Sequence, residues 1–576
     1  MSPLIPSAPR STLTRAIFLF TLLLVVFRSG GGGRAQQPPA PPPDQGQRGV
    51  RGVADVHAVV RFSDLAKQEA LAPRPLRQRR VTEPKKNPPR PPAPPDARVQ
   101  GVPAPKAAKA PAPLAPAPVV AASFPGLGDN NCAIPPDTQG AAGPNQLMVT
   151  LNTEVRVQDK NGANQSTMSL DAFWTSTGAV DPFDPKLLYD PFANRWIFVA
   201  VSSAQDAASS VLIGTSQTTD PGGQWDLFRE DADAAETVWA DYPSVGFNKD
   251  WVVVTVNMFT NVGNNFTGMD IYVFKKADLY AGGPATFTRF SDTSLNAFTQ
   301  APAITYDNTL ATMYLVEDFN GNFMNNGFIR ISTITGAVGS EMYTAGSGVT
   351  AFVGVASTWE NTAPGGLDND FAPQQGSSQL IQVNDSRMLS LVYRNGSLWA
   401  SQTVFLPASG PTRSAVQWWQ FQPSAGPTLP PTVQQFGRVE DSTNTVFFAF
   451  PSLAVNVQND VLIGYSAFSA TQFAGSAFSF RAGGDPIGTL RASTQLKAGE
   501  ASYFKTFSGS LNRWGDYSNT VVDPGNHLDF WTIQEYAATP GTPGPGGCGV
   551  AATDRWGTWW GKVVPVARRR GQLVSQ

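Results

Sequence analysis

The sequence predicts an all-β fold: a single β-propeller of about seven four-stranded antiparallel blades, preceded by a disordered proline-rich stalk. Three observations predict it: a strand–turn–strand phrase that occurs seven times, a composition rich in turn residues, and two cysteines placed near opposite ends of the repeats. The chain contains 53 glycines and 49 prolines, whereas charged residues make up only 15% of it. This balance suits a β structure with many turns.

The repeated phrase is a short strand, an Asp or Asn turn and a second, more hydrophobic strand. Its turns fall at Asn145, Asp190, Asn248, Asp307, Asn384, Asn456 and Asp523. Asn and Asp tolerate the backbone conformations of hairpin turns, and the β-branched and aromatic runs that follow them fit a pleated, half-buried surface. Each unit has room for four strands, so a propeller is favoured over a large β-sandwich or a β-helix.

The chain divides into four regions by composition. Residues 1–35 form a predicted secretory signal, because basic residues precede an apolar stretch at 16–27 and small residues follow it; an uncleaved membrane anchor is the alternative. Residues 36–118, rich in Pro, Ala and basic residues, are expected to be a disordered linker. The propeller domain spans 119–565, and 566–576 form a basic tail. The linker is basic and the domain acidic, so the linker is expected to stay solvated, to touch anionic polymers or to fold back on the domain.

The two cysteines, Cys132 and Cys548, lie just before the first unit and inside the last one. In an exported protein they are expected to form a disulfide. In a ring the first and last blades are neighbours, so a bond between distant cysteines supports the closed ring independently of the repeats. The last unit shows only three clear strands, and the segment 119–124 is the expected source of the fourth.

The residue before each inner strand is the candidate for a binding site, because inner strands line the channel of a propeller. It is acidic in four units that are consecutive around the ring: Asp137, Asp184, Asp241 and Asp516. The hypothesis is an acidic arc at the channel mouth that binds Ca²⁺ or a polyhydroxylated or cationic ligand. The alternative is that each Asp caps its own turn. The neighbouring Tyr242, Arg513 and Tyr517 complete the candidate binding site.

Catalysis that depends on histidine is nearly excluded, because the predicted domain contains only His527, in a hairpin turn. The sequence has no Cys pair with metal-binding spacing, no phosphate-binding glycine loop and no H-E-x-x-H motif. A hydrolase would therefore need paired carboxylates, with Asp241 and Asp516, or Asp184 and Asp241, as the first candidates. The sequence favours a protein that is not an enzyme, and an enzyme on this fold would be glycoside hydrolase-like.

One local motif is more specific. Thr218, Asp220, Gly222 and Trp225 match the S/T-x-D-x-G-x-x-W pattern of an Asp box. The motif resembles the Asp boxes of sialidase-like propellers, in which it is a structural turn. The phrases PPDTQGAAGPN, YDPFANRW, YRNGSLW and RWGDYSNTVVDP are similar to those of secreted bacterial seven-bladed propellers of no settled activity. This resemblance implies the fold over most of 124–562, but no catalytic residue, since the Phe-Arg-Ile-Pro start of the sialidase arginine triad is missing.

The expected function is that of an exported binding or scaffold module, secreted or at the cell surface, either extracellular or periplasmic. Its expected ligand is a polysaccharide or a surface protein. The alternative is a glycan-active hydrolase or lyase that uses carboxylates and tyrosines at the mouth. Ca²⁺ is the one cofactor considered. No nucleic-acid partner is expected, membrane contact would require retention of the N-terminal segment, and the protein is expected to be a monomer.

Overall fold

The computed structural model describes residues 46–73, 78–80, 99–101, 114–294, 297–345, 351–423, 431–543 and 547–565. The predicted signal segment and basic tail lie outside these ranges. The helices are short: α1 (Phe62–Leu71), α2 (Leu170–Trp174) and α3 (Lys276–Tyr280), with 3-10 turns at Thr175–Thr177 and Gly366–Asp368. Within these ranges no helix is long and apolar enough to cross a membrane.

Seven short strands precede the repeated units. They are β1 (Gln47–Arg48), β2 (Val50–Val53), β3 (Val56–Arg61), β4 (Arg79–Arg80), β5 (Val99–Gln100), β6 (Val120–Gly128) and β7 (Ala133–Ile134). Strands β4 and β7 pair with each other, and the others pair with the blades described next.

Seven antiparallel blades follow, each counted from its inner strand outward. Blade one contains β8 (Gln139–Ala142), β9 (Gln146–Thr150), β10 (Glu154–Asp159) and β11 (Asn164–Ser169). Blade two contains β12 (Phe183–Asp190), β13 (Arg195–Ser202), β14 (Ser210–Ser216) and β15 (Gln224–Asp231). Blade three contains β16 (Val238–Phe247), β17 (Trp251–Thr260), β18 (Phe266–Lys275) and β19 (Thr286–Asp292).

Blade four has a divided inner strand, β20 (Ala301–Pro302) and β21 (Ile304–Thr305), followed by β22 (Met313–Phe323), β23 (Asn326–Thr335), β24 (Met342–Thr344) and β25 (Phe352–Val355). Blade five contains β26 (Met388–Arg394), β27 (Ser397–Leu406), β28 (Arg413–Gln422) and β29 (Thr432–Val439). Blade six contains β30 (Val446–Val455), β31 (Val461–Ser469), β32 (Gln472–Arg481) and β33 (Thr494–Lys497). Blade seven contains β34 (Asn519–Val522), β35 (Phe530–Gly541) and β36 (Thr553–Val563).

A strand that precedes the first blade in sequence, β6, closes the ring. Strand β6 pairs with β36 and becomes the outermost strand of blade seven, with Phe124 opposite Trp560. Cys132 and Cys548 form a disulfide across the same seam, with their Cα atoms 5.0 Å apart and 416 residues between them in sequence. The predicted propeller, its fourth strand in the last blade and its disulfide are therefore confirmed.

Six of the seven predicted hairpins lie where the phrase places them, and the fifth is wrong. Residues 379–384 (QLIQVN), predicted to be the inner strand of blade five, belong to a loop. The inner strand is β26, which the repeated phrase predicts to be the second strand of the blade. The hairpin turns at Asn395 and Gly396, whose φ angles are 50° and 77°. An Asn-Gly pair with both residues in this conformation is the preferred two-residue hairpin turn, so the signal was present in the sequence.

The prediction of a disordered linker is wrong for residues 46–73. Strands β1, β2 and β3 pair with the outermost strands of blades four, three and two. Helix α1 follows and buries Phe62 completely. This basic segment, which we call the belt (residues 46–73), therefore folds back on the domain. The outer strands of the blades have unpaired backbone groups. The alternating sequence V-H-A-V-V forms β3, which pairs with one of these edges.

Apolar side chains pack between neighbouring blades and hold them in the ring. The cluster between blades one and two contains Trp174, Trp196 and Trp225, all fully buried. At the axis, the inner strands of blades three, four and five are linked by parallel pairing of Phe247 with Ile304 and of Ile304 with Val392. The inner strands thus form a rigid wall from which side chains can be aimed at the channel.

Candidate functional site

One end of the inner strands carries a repeated backbone feature. In six blades a residue other than glycine has a left-handed conformation there, with φ between 52° and 55°: Asp137, Asp184, Tyr242, Thr299, Asn384 and Phe450. In β12, β16 and β30 the strand register shifts at this residue, which marks a β-bulge. The conformation costs roughly 1 to 2 kcal/mol for a residue with a Cβ atom. Its recurrence shows that the ring builds this end, the mouth, in the same way in most blades.

The structure brings most of the predicted site residues into one polar group, the mouth cluster. Its members are Asp137, Asp184, Lys186, Tyr242, Arg513, Asp516 and Tyr517. Asp241 lies close enough for its charge to raise the pKa of Asp184. Lys186, on the inner strand β12, is absent from the prediction. Nothing in the sequence distinguishes it from a lysine that faces solvent.

Asp137 joins three blades. Its Oδ1 accepts a hydrogen bond from the backbone N–H of Asp516 at 2.9 Å, and its Oδ2 accepts one from Asn152 Nδ2 at 2.6 Å. The Oδ1 of Asn152 then accepts the backbone N–H of Asp184 at 2.7 Å. Asp137 therefore caps a loop of the neighbouring blade and not its own turn, which corrects the capping alternative for this residue.

Asp184 is tied to blade seven through Tyr517. The Tyr517 hydroxyl donates to Asp184 Oδ2 at 2.9 Å, and the Tyr517 ring lies 4.6 Å from the Tyr242 ring between centroids. The Lys186 ammonium lies over the Tyr517 ring, 2.7 Å from its centroid. The tyrosines thus pack on each other and on a cation, which leaves no free stacking face of the kind predicted for a sugar.

The open side of the mouth cluster is formed by Asp516. Arg513 donates to both Asp516 oxygens at 2.9 and 3.0 Å, and Asn384 Nδ2 donates to Oδ1 at 2.7 Å. Arg387 pairs with Asp385 through two bonds of 2.6 Å, and its guanidinium lies 4.0 Å from the Tyr242 ring centroid. The sequence analysis missed Asn384, Asp385 and Arg387 because it places the fifth hairpin at the wrong residues. Blade five therefore also contributes an acid, Asp385, near the mouth.

Burial and like charges shift the titration of the two central carboxyl groups. Burial raises the pKa of Asp137 well above its usual range, and the charges of Asp516 and Asp184 raise it further. Burial, then the charges of Asp241 and Asp516, raise the pKa of Asp184 to about 6. A hydrogen bond between the two carboxyl groups raises the pKa of Asp137 and lowers that of Asp184. The two carboxyl groups therefore titrate as one interacting pair.

The cations of the cluster respond to the same surroundings. Burial lowers the pKa of Lys186 to about 7, against the charges of Asp184 and Asp137. Burial opposes the charged form of Arg513, but the charges of Asp516 and Asp137 outweigh it and raise the pKa of Arg513. Positive side chains thus neutralise the carboxylates from within the protein.

The geometry does not support Ca²⁺ at the four aspartates. Across the described ranges, no group of three or more His, Cys, Asp or Glu side chains is arranged to hold a metal ion. Calcium prefers six to eight oxygen ligands, whereas Asp516 is held by Arg513 and Asp137 accepts two N–H groups. In this arrangement the protein's own groups use the oxygens that calcium would need, and the calcium site stays a prediction without structural support.

Two long loops lie beside the mouth and form what we call the cap: residues 356–387 and 498–518. Gln374 and Tyr503 exchange two hydrogen bonds of 2.7 Å, and the backbone N–H of Asn512 donates to both oxygens of Asp370 at 3.0 and 3.1 Å. The cap exposes Leu380 and Phe504, which are 39% and 45% accessible. Because the cap carries Asn384, Arg513 and Asp516, it completes the mouth cluster.

Inward from the mouth cluster the channel changes character along its length. The section next to the cluster is lined by Gln139, Lys186, Ser244, Ser390, Ser518 and Asn519, among others. The far section is mainly apolar, with Leu188, Ile304, Val392, Leu453 and Val521 in its wall and His527 at its end. His527 is exposed on its hairpin turn, as the sequence predicts.

The segment that matches the Asp-box pattern forms a turn held by side-chain hydrogen bonds. Asp220 Oδ1 accepts the backbone N–H of Gly222 at 2.9 Å, Thr218 Oγ1 accepts that of Asp220 at 3.2 Å, and Trp225 is fully buried. The carbonyls of Gly223 and Gly222 accept the first two N–H groups of helix α1, at 2.9 and 3.1 Å. The box therefore also caps the belt helix, whose first N–H groups lack partners within the helix.

The fold and the mouth together define a closed seven-bladed β-propeller with a polar cluster at one end of its channel. No protein-family model matches the sequence, and a comparison with curated proteins finds no match. Similar solved structures include the Hadza microbial sialidase Hz136, at 11% identity over 73% of each chain with a TM-score of 0.33. The phage phi92 endosialidase is 9% identical over 66% of this chain and 67% of that chain, with a TM-score of 0.30. The Dos1 propeller is 8% identical over 72% and 75%, also with a TM-score of 0.30. These likenesses are too distant to carry an argument about the mouth.

We expect acidification from about pH 7.5 to about pH 5 to stabilise the wild-type protein relative to an Asp184→Asn variant. The folded-state pKa of Asp184, about 6, exceeds the value of about 3.9 in an unfolded chain. Such a group contributes stability that is fully present below the unfolded pKa and is lost as the pH rises through the folded pKa. The asparagine does not titrate, so the difference in free energy of unfolding should change by about 1 to 2 kcal/mol.

Urea denaturation of both proteins at the two pH values measures this difference. Parallel changes in the wild type and the variant would show that Asp184 ionises in the folded protein as it does in water.

Proposed function

We propose that this protein is an exported binding or scaffold module that contacts a polysaccharide or a protein at the cell surface. The observation that supports binding over catalysis is the closed state of the mouth cluster. Asp137 and Asp184 are only 1% and 4% accessible, and their oxygens hold loops of neighbouring blades. Carboxylates used in this way stabilise the ring and are not free to meet a substrate.

The spacing of the central carboxyl groups also argues against glycoside hydrolysis. The two carboxylates of a glycosidase flank the scissile bond at about 5 to 5.5 Å or at about 6.5 to 9.5 Å. Asp137 and Asp184 instead lie close enough to shift each other's pKa, and their oxygens accept hydrogen bonds from Asp516, Asn152 and Tyr517. A glycan-active hydrolase or lyase stays as the second candidate because of one observation, the raised pKa of Asp184, since shifted carboxyl groups often mark catalytic sites.

The rim around the cluster is the surface that we assign to ligand contact. The cap is anchored by paired side-chain and backbone hydrogen bonds, so Phe504 and Leu380 are presented from a fixed frame. A disulfide is typical of proteins that fold outside the cytoplasm, which supports a role at the cell surface. A rigid surface loses little conformational entropy on binding, which favours affinity.

A joint binding and turnover assay tests this proposal. The purified full chain is incubated with insoluble chitin, xylan and peptidoglycan and with intact cells, and both retained protein and newly formed reducing ends are measured. We expect retention on at least one of these surfaces without new reducing ends. Phe504→Ser should weaken retention with an unchanged melting temperature, since the side chain is exposed, whereas Val262→Ser, also exposed but on blade three, should have no effect.

A second outcome of the same assay would favour an enzyme. Release of reducing ends by the wild type, lost by orders of magnitude in Asp184→Asn with the fold intact, would establish the hydrolase. Failure to bind any of these surfaces would contradict the binding module.

A further inference from the structure

A lysine and an aspartate meet inside the seam of the ring. Asp129 directly follows β6, the strand that closes blade seven, and Lys505 belongs to the cap, 376 residues later in the chain. The Lys505 Nζ contacts Asp129 Oδ2, and the two side chains are only 4% and 0% accessible. Most lysine–carboxylate pairs lie at surfaces, where water stabilises both charges. This pair is withdrawn from water on both sides.

The Asp129 carboxyl group is held in one orientation. Its Oδ1 accepts the backbone N–H of Asn131 at 2.6 Å, and the backbone N–H of Asp129 donates to the carbonyl of Trp556 at 3.1 Å. The Arg555 guanidinium donates to the backbone carbonyl of Asp129. The N–H on Oδ1 polarises the carboxyl group as a donor polarises a carbonyl under nucleophilic attack. The amine therefore faces a fixed and polarised acceptor.

Burial moves both partners toward their neutral forms. Burial raises the pKa of Asp129, against the charge of Lys505, and burial lowers the pKa of Lys505, against the charge of Asp129. A neutral amine is a nucleophile, whereas an ammonium group is not. A neutral carboxyl group carries a hydroxyl, which becomes water when it takes up one more proton. The neutral pair therefore has the two protonation states that amide formation requires.

A third buried acid, Glu535, lies within electrostatic reach of Asp129. Glu535 on β35 is 2% accessible, and burial, then the charges of Asp137 and Asp129, raise its pKa well above the usual range. Its Oε1 has no hydrogen-bond partner in the part of the chain that the structure describes. A buried carboxylic acid whose pKa responds to the charge of Asp129, and which has an unused oxygen, is the group that we assign to the proton exchange.

We propose that Lys505 and Asp129 form an intramolecular amide cross-link. The lone pair of Nζ attacks Cγ of the protonated Asp129, and the Nζ–Cγ bond forms. The bond from Cγ to the hydroxyl oxygen then breaks. Nζ gives up one proton, which Glu535 passes to the departing hydroxyl group, and one water leaves. No oxidant, reductant or cofactor takes part, and Glu535 ends in the protonation state in which it began.

The cross-link would fix the cap to the seam. Asp129 lies three residues from Cys132, and Asn131 Nδ2 donates to the carbonyl of Cys548 at 2.7 Å, so the amide and the disulfide would close the same joint. An amide survives reducing agents that cleave a disulfide. The seam would then stay closed in surroundings where the disulfide is reduced.

Mass spectrometry of the full chain tests the proposal directly. After reduction and unfolding, we expect a mass about 18 Da below that of the unmodified chain, which corresponds to one lost water. Trypsin should fail to cleave after Lys505, and a branched peptide should join that residue to the segment around Asp129. Cleavage after Lys505 with no branched peptide overturns the proposal.

Variants identify the reacting groups. Lys505→Arg should abolish the mass loss, and Asp129→Asn should lose ammonia, about 17 Da, in place of water. Glu535→Gln should slow the reaction severalfold or more in a time course after refolding; an unchanged rate would refute the proton relay. The buried Lys276–Asp190 pair is an internal control. Its amine also donates to the carbonyl of Asn248, and the Tyr280 hydroxyl occupies Asp190 Oδ2, so no branched peptide is expected there.

Discussion

Replacing both Cys132 and Cys548 by serine in a Lys505→Arg background, in which the proposed amide cannot form, is expected to lower the free energy of unfolding by about 4 to 5 kcal/mol. The disulfide closes a loop of 416 residues, and a cross-link over so long a loop removes much of the conformational freedom of the unfolded chain. In this fold the bond also lies at the seam, beside the pairing of β6 with β36 and the backbone hydrogen bond from Cys548 to the carbonyl of Asn130. Urea denaturation of the oxidised Lys505→Arg protein, with and without the two serine substitutions, measures the difference.

Reduction of the Lys505→Arg protein provides the matched control. The reduced protein should unfold at nearly the urea concentration of its double-serine variant, because both lack the disulfide and the amide and keep the other seam contacts. Equal midpoints for the oxidised and reduced proteins would contradict the prediction and would show that non-covalent contacts keep the ring shut.

The ring could be predicted because its evidence in the sequence is repeated and local. A hairpin needs only a turn residue and two apolar strands, and six of the seven phrases form in the predicted place. The fifth fails because residues 379–384 imitate an inner strand by their alternation, while the true hairpin at Asn395 and Gly396 carries the stronger turn signal. Local patterns cannot decide between two adjacent strand-like runs, since pairing with blades four and six makes that choice.

The belt escaped prediction for a different reason. Its strands are short, and they are stable only because the outer edges of blades two, three and four offer them unpaired backbone groups. Composition marks the segment as unable to form a core of its own, which is correct. It does not show that a segment can complete the core of another part of the chain, as Phe62 does.

The mouth cluster was predictable in its acids and not in its chemistry. The sequence pattern points to Asp137, Asp184 and Asp516, which the structure brings together at the mouth, although Asp184 lies within β12 and not before it. The hydrogen-bond partner Asn152 comes from the loop after β9, and the cation Lys186 lies two residues after Asp184 on β12. Whether a set of acids binds a metal or is neutralised by protein cations depends on these contacts, which spacing along the chain does not reveal.

The belt leads to the second large effect that we expect, the consequence of a Phe62→Ala substitution. Phe62 is fully buried in the cluster between blades one and two, and its ring lies 5.9 Å from that of Phe173. Truncating a buried phenylalanine costs about 3 to 5 kcal/mol. The belt is joined to the ring from one side only, so this loss should release α1 and β3 while the blades stay folded. Hydrogen exchange should then increase by roughly two orders of magnitude or more within residues 46–73.

The matched control lies on the same helix. Leu71 is 88% accessible, so Leu71→Ala removes a similar apolar side chain without removing a buried contact and should leave exchange in the belt unchanged. If Phe62→Ala instead lowers the unfolding midpoint of the whole protein and exchange rises equally in all blades, the belt and the ring unfold as one unit. The belt would then be a part of the cooperative core and not a segment that docks on a finished propeller, because its release could not be separated from the opening of blades one and two.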